Sequence, residues 1–465
     1  MLILAIAGCS LGTTDWAACT EPAQCRDAFG LGWTCGGEGL CAEVGVHRRC
    51  GETFPEDLLL RPENYPDAIV VGALFDHTSD IPETQAARLA VKQANDSGGL
   101  DGRPFGLVQC TYEEDSTLDA LAMDEATTET ALWLAHELGV HAIVGPATSG
   151  MTEAAWNAVG DATLIVSPSA TSPALTYIDG IEKTDEEPGL LWRTAPPDSL
   201  QGQVLAQDVA AQLGEGSHEV AVIHEVGPYG EGLADVFLTE SSGNDAVTLY
   251  TFENDTQRDT AVNDVSAQGP DAVVFISSEL SDVASFLNAA VELDYAGMPI
   301  WLADAAHDTE LLAQTQAARE TLWPNIRGTA PAVPSGDIYE FFASSYRSEY
   351  DGDDAAASSY TAYAYDAAWL TLYGAAWADA NEGGISGLGA ARGLRHVSAG
   401  TEIEVKPLNW GEVQANFDAG EDVDLVGASG ALDYDPETGE TSGPVDVWVI
   451  DSLEFDFVTV DTIEP

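Results

Sequence analysis

Residues 68–110 read AIVVGALFDHTSDIPETQAARLAVKQANDSGGLDGRPFGLVQC, and this stretch decides the fold class. It begins with an apolar run of strand length, AIVVGALF, and ends with a second one, FGLVQC. Between them the text ETQAARLAVKQAND repeats alanine and valine at helical spacing, and Gly98 and Gly99 end the predicted helix. Continuous apolar strands that alternate with helices are typical of a parallel sheet covered on both faces. We therefore predict an α/β fold.

The same alternation continues in two series of apolar runs. The first series adds runs at 141–145 and 163–167, and the second has four, at 219–225, 246–252, 271–277 and 298–304. We predict two doubly wound parallel-sheet lobes, preceded by a small disulfide-rich N-terminal segment. The predicted division is a lipoprotein signal at 1–9, a cysteine-rich segment at 10–50, a linker at 51–66, lobe 1 at 67–195 and 329–410, and lobe 2 at 196–328 and 411–465.

Two later features complete the predicted lobes. The stretch 358–377, SSYTAYAYDAAWLTLYGAAW, is helix-like, and the stretch 430–451 is hairpin-like. These are too few elements for a third domain, so we assign one to each lobe.

The charge of the chain excludes several classes of partner. There are 78 Asp and Glu against 16 Lys and Arg, a formal net charge of −62, and the acids are spread along the whole length. Nucleic acid and anionic membrane surfaces are therefore excluded as partners. A solvated surface suited to high salt explains the acidic composition. We also expect the protein to be a monomer.

The N-terminal text MLILAIAGCS resembles a bacterial lipobox, with Cys9 as the acylated residue. It lacks the basic region of a secretory signal, and a cleaved signal without lipid is the alternative. We expect a periplasmic or cell-surface protein anchored by lipid.

The other six cysteines support export independently. Their positions, five of them within the first fifty residues, are Cys19, Cys25, Cys35, Cys41, Cys50 and Cys110. An even number among glycine, proline and polar residues indicates a disulfide framework, and the absence of a CxxC pair disfavours a zinc site. We predict two bridges within residues 19–41 and a third between Cys50 and Cys110. The first four cysteines allow three connectivities.

Two loops that follow strands of the first series are rich in small hydroxyl residues. One contains Thr148 and Ser149, and the other contains Ser169 and Thr171. Each places hydroxyls and free backbone N–H groups near a helix N-terminus, which favours an anion such as a carboxylate. An ordinary N-cap is the alternative for each loop, but loops on consecutive strands converge on one spot.

Several segments, in order along residues 67–330, resemble one family. They are GGLDGRPFGLV, VHAIVGPATSG, LIVSPSATSPALT, LLWRTAPPDS, PYGEGLADVF and GPDAVVF. They resemble the type I periplasmic binding proteins of ABC transporters, in the leucine/isoleucine/valine-binding group. The resemblance implies a hinged two-lobe protein that binds a small molecule, an amino acid above all, and delivers it to a membrane permease without a cofactor or metal.

The resemblance also implies roles for single residues. Ser149 matches the family's carboxylate-binding serine, and the turn of Ser169, Ala170 and Thr171 supplies further contacts. Tyr229 matches a cleft tyrosine of the second lobe. Asp304 stands where the family has an acidic ammonium ligand. An ammonium partner would offset the unfavourable desolvation of a carboxylate at the end of a strand. The alternative for Asp304 is a helix N-cap, for which Asp308 is also a candidate.

The chain departs from the family around the ligand's side chain. The loop FDHTSDIPE is shorter than the family's and lacks its tyrosine, and His77 lies in it. Glu279 stands where an aromatic residue often sits. A polar or cationic amino acid is the expected ligand on this ground, and solvent-facing loop residues are the alternative.

No enzyme motif is complete. His136 and His141 are five residues apart, not the four that place two zinc ligands on one helical face. We expect a substrate-binding protein that is not an enzyme. The alternatives are a sensing module for a signalling receptor and a surface protein of the same fold that no longer binds a ligand.

Overall fold

The computed structural model describes residues 18–114, 117–241, 245–293 and 295–465. The predicted signal at 1–9, with Cys9, lies outside these residues. Within them the chain forms a small N-terminal segment and two α/β lobes. None of the described helices combines the length and apolar content needed to cross a bilayer.

The N-terminal segment is held by disulfides. It consists of α1 (Pro22–Phe29), β1 (Trp33–Cys35) and β2 (Cys41–Glu43), and the two strands are antiparallel. Bridges join Cys19 to Cys35 and Cys25 to Cys41. A segment this short cannot bury a sufficient core of its own, so the cross-links replace it. The predicted pair of bridges within 19–41 is confirmed, and the structure selects one of the three connectivities.

The first lobe is built on a six-stranded sheet of order β3-β5-β4-β6-β7-β8, parallel except for β3. Its strands β4 and β5 are buried along their whole length because helices cover both faces. The elements of this part are β3 (Glu52–Phe54), β4 (Ile69–Phe75), α2 (Ile81–Asp96), β5 (Phe105–Thr111), α3 (Met123–Leu132), β6 (Ala142–Val144), α4 (Ser149–Val159), β7 (Leu164–Ser167) and β8 (Leu191–Arg193).

The segment 51–66, expected to be a linker, packs against the first lobe. Residues 52–54 form β3 at the edge of the sheet, and the predicted Cys50–Cys110 bridge fastens the segment to β5. Leu58 is fully buried over Gly106, where a Cβ atom would lie 2.6 Å from Leu58 Cδ2. A three-residue strand has too short an apolar pattern to be recognised in the sequence.

The second lobe has a seven-stranded sheet of order β10-β9-β11-β12-β13-β16-β17. Its first five strands are parallel, and β16 and β17 extend it as antiparallel strands. The elements up to β13 are α5 (Asp198–Leu213), β9 (Glu219–Glu225), α6 (Pro228–Glu240), β10 (Ala246–Phe252), α7 (Asp255–Gln268), β11 (Ala272–Ile276), α8 (Leu280–Glu292), β12 (Ile300–Leu302), α9 (Thr309–Gln314) and β13 (Ile326–Pro331).

After β13 the chain returns to the first lobe. The helix-like stretch predicted at 358–377 is α11, which packs lengthwise on α2. The elements of the return are α10 (Asp337–Glu349), α11 (Thr361–Glu382), α12 (Gly387–Gly393), β14 (Thr401–Glu404), α13 (Trp410–Asp418) and β15 (Val423–Val426).

The structure places two lobe boundaries differently from the sequence. Residues 411–434 were assigned to lobe 2, but Val413, Phe417 and Leu425 are buried in the core of the first lobe. Strand β13 continues to Pro331 in the second sheet, past the boundary drawn at 329. Apolar periodicity identifies a buried face but does not say which of two similar sheets covers it.

The hairpin expected at 430–451 lies further along the chain. It is formed by β16 (Val445–Asp451) and β17 (Asp456–Ile463). The segment before β16 is instead the third of three connections between the lobes, after 194–197 and 332–336. These three crossings connect the two lobes.

Candidate functional site

A cavity of about 950 Å³ lies between the two lobes. It opens at the carboxyl ends of β4, β6 and β7 in the first lobe and of β11 and β12 in the second, where ligands bind in open α/β sheets. The volume falls within the range of small-molecule sites, roughly 300–1,000 Å³.

The loop between β6 and α4 presents a helix N-terminus to the cavity. Thr148 is the N-cap of α4, and its hydroxyl accepts a hydrogen bond from Met151 N at 3.3 Å. Ser149 is 1% exposed and its Oγ accepts from Ser172 N at 3.1 Å, so the hydroxyl proton stays available to a ligand. Both residues line the cavity. The cap interpretation therefore holds for Thr148, and Ser149 stays a predicted anion ligand that lines the cavity.

The turn after β7 contributes less to the cavity than expected. Ser169 lines the cavity and donates from Oγ to Ala147 O at 2.9 Å, which ties the two loops together. Ala170 and Thr171 do not line it. The amide of Ala170 donates to Ser167 Oγ at 3.1 Å, and the Thr171 side chain is buried behind the turn.

At the second lobe, Asp304 follows β12 and is only 4% exposed. Its Oδ1 accepts hydrogen bonds from Gln201 Nε2 at 2.8 Å and from the Tyr229 hydroxyl. Its Oδ2 accepts from the hydroxyl of Tyr360, which precedes α11 of the first lobe. Three side chains from separate parts of the chain thus orient one buried carboxylate at the cavity wall.

The N-cap interpretation fails for Asp304, whose side chain caps no helix. The cap of α9 is Asp308, which accepts from Glu310 N at 2.7 Å. Asp198, which begins α5, is also buried near Asp304. Burial, together with the negative charge of Asp304, raises the pKa of Asp198 well above its usual value.

A second group of carboxylates also lines the cavity. Asp80 accepts from the Tyr112 hydroxyl at 2.8 Å, and Glu83 accepts from Ser358 Oγ. Glu279 faces them from the second lobe. Burial, with repulsion from Asp80, raises the pKa of both Glu83 and Glu279 to about 8.

The cavity wall is strongly acidic. Among the residues that the structure describes there, no lysine or arginine is present. The nine carboxylates that line it are Asp76, Asp80, Glu83, Glu279, Asp304, Asp308, Glu310, Asp353 and Asp354.

Six of the nine ligand residues predicted from the sequence line one cavity: Thr148, Ser149, Ser169, Tyr229, Glu279 and Asp304. The lining does not include the other three, His77, Ala170 and Thr171. The His77 backbone N donates to Thr111 Oγ1 at 3.2 Å, and its ring Nε2 is buried without a partner among the described residues. Of the enzyme-like pair, His141 is buried against Thr371 O, and burial lowers its pKa to about 4.

Gln201, Tyr360, Asp80 and Glu83 were not predicted. Gln201 lies on α5 and Tyr360 precedes α11, so both are away from the strand ends at which ligand-binding residues were expected. Asp80 lies in the loop FDHTSD, in which His77 was the predicted ligand residue, but no sequence pattern distinguishes Asp80 from its neighbours.

Two α/β lobes with a ligand-sized cavity between them define a ligand-binding protein of the type I periplasmic binding fold. Residues 82–451 match the family described as "Receptor family ligand binding region", and the chain belongs to that family.

Two proteins of known name are similar to this chain in sequence. The chemotactic signal transduction system substrate-binding protein BasB of Halobacterium salinarum is 29% identical over 361 residues, 76% of this chain and 80% of that protein. Leu/Ile/Val-binding protein homolog 1 of Brucella abortus is 30% identical over 152 residues, 32% of this chain and 36% of that protein.

Solved structures show the same fold. The substrate-binding protein LivJ of Streptococcus pneumoniae, in complex with isoleucine, superposes with a TM-score of 0.61 at 21% identity, covering 86% of this chain and 100% of that one. The leucine-binding protein LivK of Thermotoga maritima gives 0.64 at 18% identity, covering 85% and 99%.

Proposed function

We propose that this protein is an extracytoplasmic substrate-binding protein of an ABC importer, which captures an amino acid between its two lobes. The observation that carries the proposal is the pairing of two opposite binding groups on one cavity. The first lobe offers the α4 N-terminus with Ser149, and the second offers the buried carboxylate of Asp304. An α-amino acid has the complementary carboxylate and ammonium groups.

Capture then proceeds by closure of the hinge. The ligand's carboxylate binds the hydroxyl of Ser149 and the free N–H groups of α4, where the helix dipole favours an anion. Its ammonium binds Asp304. Since neither lobe satisfies both ends, the ligand binds the closed form better than the open form and shifts the population toward it. A membrane permease that recognises the closed form completes the import cycle.

The compartment follows from the cysteines. Three disulfides in one chain favour an oxidising compartment outside the cytoplasm. We place the protein in the periplasm or at the cell surface as a monomer, held to the membrane by acylated Cys9, and we assign it binding without catalysis.

One relative favours a second candidate. The protein from Halobacterium salinarum that aligns over 76% of this chain is named for chemotactic signal transduction. A sensory role uses the same capture step, with a receptor in place of the permease. Crosslinking in cells followed by affinity purification separates the two, because it recovers either a permease or a receptor.

Ligand capture itself is tested by native mass spectrometry and a thermal-shift screen. Gentle purification should retain an amino acid, and the matching compound should raise Tm in a concentration-dependent way. A screen of all amino acids and related carboxylates without any shift would contradict the proposal and favour a surface protein that has lost ligand binding.

A further inference from the structure

Resting on the proposed amino-acid function, we infer that the cavity selects an amino acid whose side chain carries a second cationic group, which binds between Asp80 and Glu83 of the first lobe and Glu279 of the second. We call these three residues the bridging carboxylates. A lysine-like or arginine-like side chain has this chemistry.

The bridging carboxylates face one another across the cleft. Asp80 ends the loop after β4, and Glu83 lies in the first turn of α2. Glu279 precedes α8 in the other lobe. Asp80 repels both glutamates electrostatically, so the repulsion acts within the first lobe and also between the lobes. Closing the cleft without a ligand therefore forces these carboxyl groups either to repel one another or to hold protons.

The protein does not neutralise this charge itself. Asp80 and Glu83 receive hydrogen bonds from Tyr112 and Ser358, which are neutral donors. Glu279 receives no hydrogen bond or ion pair at its carboxylate from any residue that the structure describes. Removing carboxylates from water is unfavourable unless a cation or hydrogen-bond donor replaces the water. A ligand ammonium or guanidinium is the missing partner.

The acidic composition of the whole chain does not account for this arrangement. Carboxylates that serve solubility or high salt are fully solvated and well separated. Glu83, in contrast, is 5% exposed, and Glu279 is only partly reached by solvent. A branched aliphatic side chain placed here would bury these carboxylates further without relieving their repulsion.

A second cation on the ligand therefore makes the closed form of the protein more favourable relative to the open form. It removes the repulsion between Glu279 and the first lobe, and it adds attraction that exists only when the lobes meet. The α-ammonium keeps its own acceptor, because Asp304 is a separate part of the cavity wall with its own hydrogen-bond donors. Binding of the α-ammonium by Asp304 and binding of the side-chain cation by the bridging carboxylates can therefore be tested separately, with different ligands and different variants.

Calorimetry with four matched ligands tests the inference on the full chain. Lysine has both cations and the carboxylate, norleucine lacks the side-chain cation, 6-aminohexanoate lacks the α-ammonium, and cadaverine lacks the carboxylate. We expect wild-type protein to bind lysine about 30-fold or more tightly than norleucine, the size typical of a buried charge pair. We expect Glu279→Gln to lose most of that preference while norleucine binding is retained or improved.

The control variant is Glu292→Gln, an exposed position at the end of the same helix α8, which should keep the preference. Asp80→Asn is the second test variant, and thermal unfolding checks that each variant folds. Equal affinity for lysine and norleucine in the wild type, with both abolished by Asp304→Asn, would overturn the inference and leave the proposed function standing.

Further results with these ligands, and with calcium chloride, would also contradict the inference. If cadaverine bound as tightly as lysine, the proposed function would fail together with the inference, because the carboxylate would contribute nothing to binding. If none of the four ligands bound, the inference would fail, and the screen of all amino acids would decide the proposed function. If calcium chloride alone stabilised the wild type but not Glu279→Gln, with no preference for lysine, the bridging carboxylates would be an inorganic cation site and the inference would be wrong.

Discussion

The guanidinium of Arg193 lies against the carboxylate of Glu440, with Nε 3.1 Å from Oε2 and Nη2 2.6 Å from Oε1. The two residues are 247 positions apart in the chain. Arg193 also donates from Nη1 to the carbonyl oxygens of Ala170 at 2.9 Å and Ser172 at 2.8 Å. The pair therefore fastens the hydroxyl-rich turn after β7 to the third connection between the lobes.

Replacing Arg193 by Met should destabilise the protein strongly. The arginine side chain is 1% exposed, and its loss leaves the Glu440 carboxylate, 10% exposed, without its cation. Breaking such a buried pair from one side costs about 3–5 kcal/mol. Urea unfolding should show this loss. Glu440→Gln should cost less, because the guanidinium keeps the amide oxygen and the carbonyl oxygens of Ala170 and Ser172 as acceptors. Equal losses in the two variants would contradict this account of the pair.

The Cys50–Cys110 disulfide should stabilise the first lobe. Both cysteines are fully buried, and the bridge closes a loop with a sequence separation of 60 residues. Chain-entropy arguments give such a loop about 4 kcal/mol. The double variant Cys50→Ala/Cys110→Ala should lower the main Tm in calorimetry. Cys19→Ala/Cys35→Ala is the matched control, because that bridge holds only the N-terminal segment, and a similar drop in both variants would refute the assignment.

Tyr360 should matter for ligand binding although it lies before a helix of the opposite lobe. Its hydroxyl donates to Asp304 Oδ2, and hydrogen bonds to charged groups contribute about 1.5–3 kcal/mol. Tyr360→Phe should therefore weaken amino-acid binding about tenfold or more. Tyr363→Phe is the control on the same helix, since its hydroxyl makes no hydrogen bond to any described residue. Identical affinities for the two variants would exclude a role for the contact.

The stability of the ligand-free protein should fall as pH rises from about 4.5 to about 8. In the folded state the pKa of Glu83 and that of Glu279 are raised to about 8, above the ordinary value of 4.5. Between these values the folded state binds more protons than the unfolded state, so raising the pH favours unfolding.

This slope is measured by urea unfolding at several pH values in high salt, which screens the surface charge. Glu279→Gln should flatten the slope, and Glu292→Gln should leave it unchanged. A wild-type slope of the opposite sign, or one that Glu279→Gln does not alter, would show that these carboxylates are ionised in the folded state at neutral pH.

The elements of the fold that could be predicted from the sequence are those marked by a pattern of neighbouring residues, such as an apolar run. The strand 219–225 was located to the residue because a continuous apolar run is bounded by polar residues. Ser149 was named from its hydroxyl-rich loop and from the family resemblance, and Asp304 was named from that resemblance; both line the cavity. Tyr360 could not be found in this way, since its contact with Asp304 depends on the return of the chain to the first lobe.

The errors have the same physical origin. Residues 411–434 carry a clear apolar pattern, but two similar sheets compete for it. His77 stands in the right loop, yet its ring does not line the cavity. The neighbouring Asp80 does, because its carboxylate is fixed there by Tyr112.

The central claim is that one amino acid is held at both ends, by the α4 N-terminus and by Asp304. Isothermal titration calorimetry of the preferred amino acid into wild type and Asp304→Asn tests this claim most directly, with Asp235→Asn, an exposed position on α6, as the control. The account predicts that Asp304→Asn weakens binding about 30-fold or more, that the control does not, and that an analogue without the α-amino group binds both proteins equally weakly. Unchanged affinity of Asp304→Asn for the amino acid would contradict it.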